Sequence, residues 1–118
     1  MKFKHATRNW VEYRELLPDM VECDFHWANK PGKNSHHENM DAVWDAGLQA
    51  ITEAQATGKK YVMFTHGGSS SRIGKTTARS QVRKLMCSKF ATPYILRADC
   101  IEQETVFIAA IRPSKSDK

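Results

Sequence analysis

Lys59-Lys-Tyr-Val-Met-Phe-Thr-His-Gly-Gly-Ser-Ser-Ser-Arg-Ile-Gly-Lys-Thr-Thr77 decides the fold. Tyr61 to Thr65 is a near-continuous apolar run, as expected of a central strand covered on both faces. His66 to Lys75 supplies glycine and serine in place of any periodic pattern, so the chain leaves the strand through a loop. From Thr77 onward Ala78, Val82, Leu85 and Met86 recur at helical spacing. A strand that feeds a flexible loop into a helix N-terminus gathers backbone N–H groups and the positive end of the helix dipole. That combination attracts anions.

The charge distribution around this stretch narrows the anion. Between Ala54 and Ala98 there are nine Lys or Arg and no Asp or Glu. The remaining residues hold nine basic and thirteen acidic side chains, a local balance of −4 within a chain of net +5. Such polarity predicts a directed electrostatic footprint, and a polyphosphate such as nucleic acid suits it. Arg72, Lys75, Arg79 and Arg83 fall at near-helical spacing and predict a basic ridge beside the buried stripe. With the backbone of Gly67, Gly68, Ser69 and Ser70, they form the expected phosphate-binding set.

Working outward, Asn9 and Glu12 fit a capping box. Trp10, Tyr13, Leu16 and Leu17 then form a short apolar stripe that Pro18 stops. Met20 to Trp27 alternates, with Val21, Cys23, Phe25 and Trp27 on one face and Glu22, Asp24 and His26 on the other. Ser35 and Glu38 open a long helix through Met40, Val43, Trp44, Gly47, Leu48 and Ile51, which Gly58 ends. Gly47 within an apolar stripe predicts a close helix–sheet approach. Pro93 precedes strands at Tyr94–Ala98 and Thr105–Ile111.

The expected architecture is therefore α/β: a short N-terminal helical extension (1–19), one domain (20–113) and a polar tail (114–118). Its order is β-α-β-α-β-β, a two-layer sandwich with a mixed four-stranded sheet. Right-handed crossovers put both long helices on one face. At 118 residues and 41% apolar content, the chain supports one core. The three cysteines show no CxxC spacing, and a disulfide framework or zinc site is not expected. No apolar run approaches membrane-spanning length, and a soluble cytoplasmic protein is the expectation.

Three segments resemble the Smr (small MutS-related) domain over about three quarters of the chain. Asp24-Phe25-His26 stands where that family has Leu-Asp-Leu-His-Gly, with Trp27 in place of the glycine. Phe64-Thr65-His66-Gly67-Gly68 resembles its His-Gly-x-Gly loop, with Ser69 in place of the second glycine and a basic helix at Thr77–Phe90 following. Glu104-Thr105-Val106-Phe107-Ile108 resembles its closing strand. The resemblance implies binding of branched or structured nucleic acid, DNA or RNA, and nicking endonuclease activity in some members.

Were this chain to cut, Asp24, His26 and His66 are the candidate catalytic residues. One carboxylate and two imidazoles beside a phosphate site position water, exchange protons or hold a divalent metal ion. His36 and His37 diverge on a helix and suit no shared ion. Gly68 and Gly74 enclose five residues where a P-loop has four, which argues against a nucleotide-hydrolysing site. The rival from another class is a non-catalytic protein-interaction or small-anion-binding module, marked by an exposed apolar patch and scattered cations.

Overall fold

In a computed structural model, the described residues are 3–5, 10–17, 19–25, 36–66, 78–103 and 105–113. They form β1 (Lys4–His5), α1 (Trp10–Leu16), β2 (Met20–Asp24), α2 (His36–Ala56), β3 (Tyr61–Thr65), α3 (Ala78–Met86), β4 (Ile101–Glu102) and β5 (Val106–Ala110). The expected α/β order is present. The sheet runs β1-β4-β5-β3-β2 and is mixed. β2 is parallel to β3 and β1 to β4, whereas β5 is antiparallel to both β3 and β4.

Burial along each strand follows its place in this order. β5 is buried at all five positions and β3 at its three middle ones, because each has neighbours on both sides and apolar matter on both faces. Val62, Phe64, Phe107 and Ala109 share one cluster with Val43 and Ile51 of α2 and with Val82 and Leu85 of α3. Met63 and Ile108, the alternate residues, cluster instead with Tyr13 of α1. Both long helices thus pack on one face, and the short helix packs on the other.

α2 ends as its sequence predicts. Gly58 has φ +76°, and the Lys59 N–H reaches back to the Ala54 carbonyl at 2.8 Å, closing the last turn. α3 ends sooner than the basic run suggested, at Met86 rather than Phe90. Arg97 accounts for the stop. Its Nε donates to the Met86 carbonyl at 2.7 Å and its Nη2 to the Ser88 carbonyl at 2.5 Å, so one guanidinium satisfies groups that would otherwise await another turn.

Two departures from the expected strands have local causes. The N-terminal stretch contributes a strand as well as a helix: β1 pairs with β4, and Phe3 meets the Phe107 ring edge-on at 4.8 Å. The expected strand Tyr94–Ala98 is interrupted. Ile95 bridges Ile111 and Ile101 pairs with Ile108, so residues 96–100 stand opposite only residues 109 and 110. The surplus is taken up by a 3-10 turn at Arg97–Asp99.

Cys100 sits at the end of that turn, fully buried. Its Sγ accepts from the Ala110 N–H and donates to the Leu96 carbonyl, each at 3.4 Å, replacing backbone partners that the surplus residues displace. Burial, opposed by the Ala110 N–H and the Arg97 charge, pushes the thiol up to about 11 from 9.0. The unfolded thiol ionises first, so its contribution is intact below about pH 9 and is lost as pH rises towards 11. The loss is on the order of 2 kcal/mol. Urea unfolding at pH 8 and pH 11 should show wild type losing that much more stability than Cys100→Ala; equal losses would refute the assignment.

Candidate polyanion interface

The parallel pairing of β2 with β3 sets the geometry. Asp24 lies opposite Thr65, and the Phe25 N–H donates to the Thr65 carbonyl at 2.7 Å. The C-terminal ends of both strands therefore meet at one end of the sheet, where α/β folds collect ligands. Strand alternation gives Asp24 the face of Glu22, whose carboxylate holds Arg14 of α1 at 2.6 Å and 2.7 Å. Phe25 takes the opposite face and stacks on Phe64, with ring centroids 5.5 Å apart.

Asp24 is exposed, whereas His66 is 1% exposed and its N–H donates to the Thr105 carbonyl at 3.1 Å. The two expected catalytic positions thus share an end of the sheet but differ sharply in access to solvent. His26 and Trp27 lie outside the described residues, as do Gly67, Gly68, Ser69, Ser70, Arg72 and Lys75. Among the described residues, no group of three or more His, Cys, Asp or Glu could hold a metal ion.

α3 is the described part of the expected phosphate-binding set. Ala78, Val82, Leu85 and Met86 are buried, as the spacing predicted. Arg79 and Arg83, four residues apart, lie one above the other on a flank of that stripe. Gln81 marks the other flank, where its Nε2 donates to the Met40 carbonyl of α2 at 3.0 Å. The arginines consequently face away from α2, on the β4 side.

That placement introduces a partner. Arg83 Nε lies 3.1 Å from Oε2 of Glu102, with the arginine side chain 49% exposed and the glutamate 13%. The contact is an ion pair without hydrogen-bond alignment, since among the described residues no group donates a hydrogen bond to Oε2. A stretch of sequence free of acid is thus not free of acid in space. Three other described cations of the stretch lie elsewhere. Arg97 serves the end of α3, and Lys59 and Lys60 precede β3, at the opposite end of the sheet from His66.

An aromatic pair escaped the sequence reading. Trp44 of α2 meets Phe90 edge-on at 6.3 Å, Phe90 is 52% exposed, and Lys89 Nζ lies 5.7 Å from its ring centroid. Phe90 continues the four-residue spacing of Ala78, Val82 and Met86, but α3 ends at Met86, so its pairing with Trp44 is set by the turns that follow the helix. No helix among the described residues is long and apolar enough to cross a membrane. No family model, curated protein or solved structure matches the chain.

Proposed function

We propose that this chain binds nucleic acid through the outer flank of α3 together with the Gly67–Lys75 segment that leads into it. One observation carries the reading: a helix with its apolar stripe fully buried turns Arg79 and Arg83 outward, directly after a glycine- and serine-rich stretch that issues from a central strand. Phosphate oxygens would take the guanidinium groups and the amides of the segment, contacts that set position on the backbone without reading base sequence. The Smr likeness agrees with this substrate class. Binding is the proposed activity, and the near-complete burial of His66 lends no support to a cutting role.

Glu102 competes with phosphate for Arg83 and offers a signed test. Titration of labelled duplex DNA at low salt should give a Kd about 3- to 10-fold weaker for Arg79→Ala. Glu102→Gln should bind more tightly than wild type, because it removes the competing carboxylate while keeping the side chain's shape. Lys59→Ala with Lys60→Ala, at the far end of the sheet, should leave Kd within about twofold. If the lysine pair matters and Arg79 does not, α3 is not the interface.

A further inference from the structure

Beyond Ile95 and Ile111 the backbone pairing ends on two prolines. Ile95 bridges Ile111 in antiparallel sense, and the Arg112 N–H donates to the Tyr94 carbonyl at 2.8 Å. Continuing that register by two residues sets Pro93 opposite Pro113, on the face that Ile95 and Ile111 turn to the helices. Neither proline has an N–H, so the ladder stops without leaving donors at the surface. Gln55 of α2 clasps the two segments together, its Nε2 donating to the Pro93 and Arg112 carbonyls, each at 2.9 Å.

This clasp borders a groove of about 530 Å³ walled by Gln55, Thr92, Pro93, Arg112 and Pro113. Both prolines are exposed, and the two carbonyls beside them are already taken by Gln55. That end of the groove is therefore apolar. A recess of about 160 Å³ shares Gln55, Arg112 and Pro113 with it and continues to Gly58, Lys59 and Lys60. Together they make one trough, of a size that suits a small molecule.

The other end of the trough is cationic. Lys59, Lys60 and Arg112 all line the recess, and among the described residues no Asp or Glu lines either part. Among the described residues, none of these three side chains has an ion pair or a hydrogen bond. The negative end of α2 lies just before them and opposes an anion with roughly half a charge, which three full charges outweigh. The Ala54 and Gln55 carbonyls of its last turn are already occupied by the Lys59 and Gly58 N–H groups.

We propose that this trough binds a small aromatic carboxylate, its ring on Pro93 and Pro113 and its carboxylate among Lys59, Lys60 and Arg112. The rigid pyrrolidine rings offer an apolar surface that loses no side-chain entropy when covered. The cations select the head group, because they have no internal counterion to give up. Arg112 adds a planar fork that matches both carboxylate oxygens. The trough lies at the opposite end of the sheet from His66 and apart from Arg79 and Arg83, so the proposal does not depend on nucleic-acid binding.

The test titrates 2-naphthoate into the isotope-labelled full chain and follows amide resonances by NMR. Shifts are expected at Gly58, Lys59, Lys60 and Arg112, and none at Arg79 or Arg83. The neutral amide of the same ring, and acetate without the ring, should each bind at least about tenfold more weakly. Arg112→Gln should weaken naphthoate about 3- to 10-fold and leave the duplex DNA titration unchanged. Its backbone carbonyl still accepts from Gln55, so the clasp is kept. The amide and acetate comparisons keep the test decisive should that variant fold poorly. No binding at millimolar naphthoate, or equal affinity for the amide or for acetate, overturns the proposal. So does displacement of naphthoate by duplex DNA, which would make the trough part of the polyanion interface. Tighter binding of acetyl-(Glu-Val)3-amide than of naphthoate would overturn it in favour of a protein partner.

Discussion

Replacing Gly47 with Val is expected to lower the unfolding free energy by about 3 kcal/mol, measured by urea denaturation. A Cβ at this position would lie 2.7 Å from Leu85 Cδ2, 3.8 Å from Phe25 and 3.9 Å from Phe64. Leu85 is 1% exposed, so its displaced methyl has no empty space to enter. Gly47→Ala adds one carbon against the movable end of one side chain and gains about 1 kcal/mol of helix propensity, which nearly offsets the crowding. Val adds two further methyl groups and loses rotamer freedom in a helix, so nothing offsets its cost.

A paired measurement separates this cause from general core damage. Leu85→Ala alone should cost about 2–5 kcal/mol by leaving a cavity. In the Gly47→Val background it should cost far less, because the valine occupies the space vacated. Strictly additive effects would show that Gly47 and Leu85 do not compete for the same volume. The consequence reaches the proposed interface. Gly47 sets how closely α2 and α3 approach, and α3 carries Arg79 and Arg83. Crowding at Gly47 should therefore weaken DNA binding even under conditions where the variant remains folded.

What the sequence made legible follows from periodicity. β3, the buried stripe of α3 and the stop at Gly58 depend on neighbours within a few residues, and each could be read directly. Gly47 announced a close helix–sheet approach, but its nearest contact is Leu85 on the other helix rather than the sheet, a pairing that only tertiary structure sets. The strand expected at Tyr94–Ala98 failed for a different reason. Ile95 bridges Ile111 and Ile101 pairs with Ile108, yet the intervening turn is held by Cys100 and Arg97, which reach the Ala110 N–H and the Met86 carbonyl of other segments. No local pattern encodes such contacts.

Charge was the least transferable reading. Nine cations without an intervening acid suggested a directed basic footprint, but Glu102 enters beside Arg83 through β4, and Arg97 is turned to a helix end. The alternation in β2 was read correctly as two faces. Its edge position was not legible, since no single strand reveals whether it has one neighbour or two. That position is what leaves Val21 exposed.

The central claim is that α3 and the segment before it exist to hold a polyanion. Its most direct test is the salt dependence of binding to duplex DNA. If Arg72, Lys75, Arg79 and Arg83 each neutralise one phosphate, log Kobs should fall against log salt with a slope of roughly −3 to −4. Affinity would then drop on the order of 100-fold between 50 and 200 mM salt. Arg79→Ala should make the slope shallower by about one. An affinity indifferent to salt, or no binding at low salt, would contradict the account.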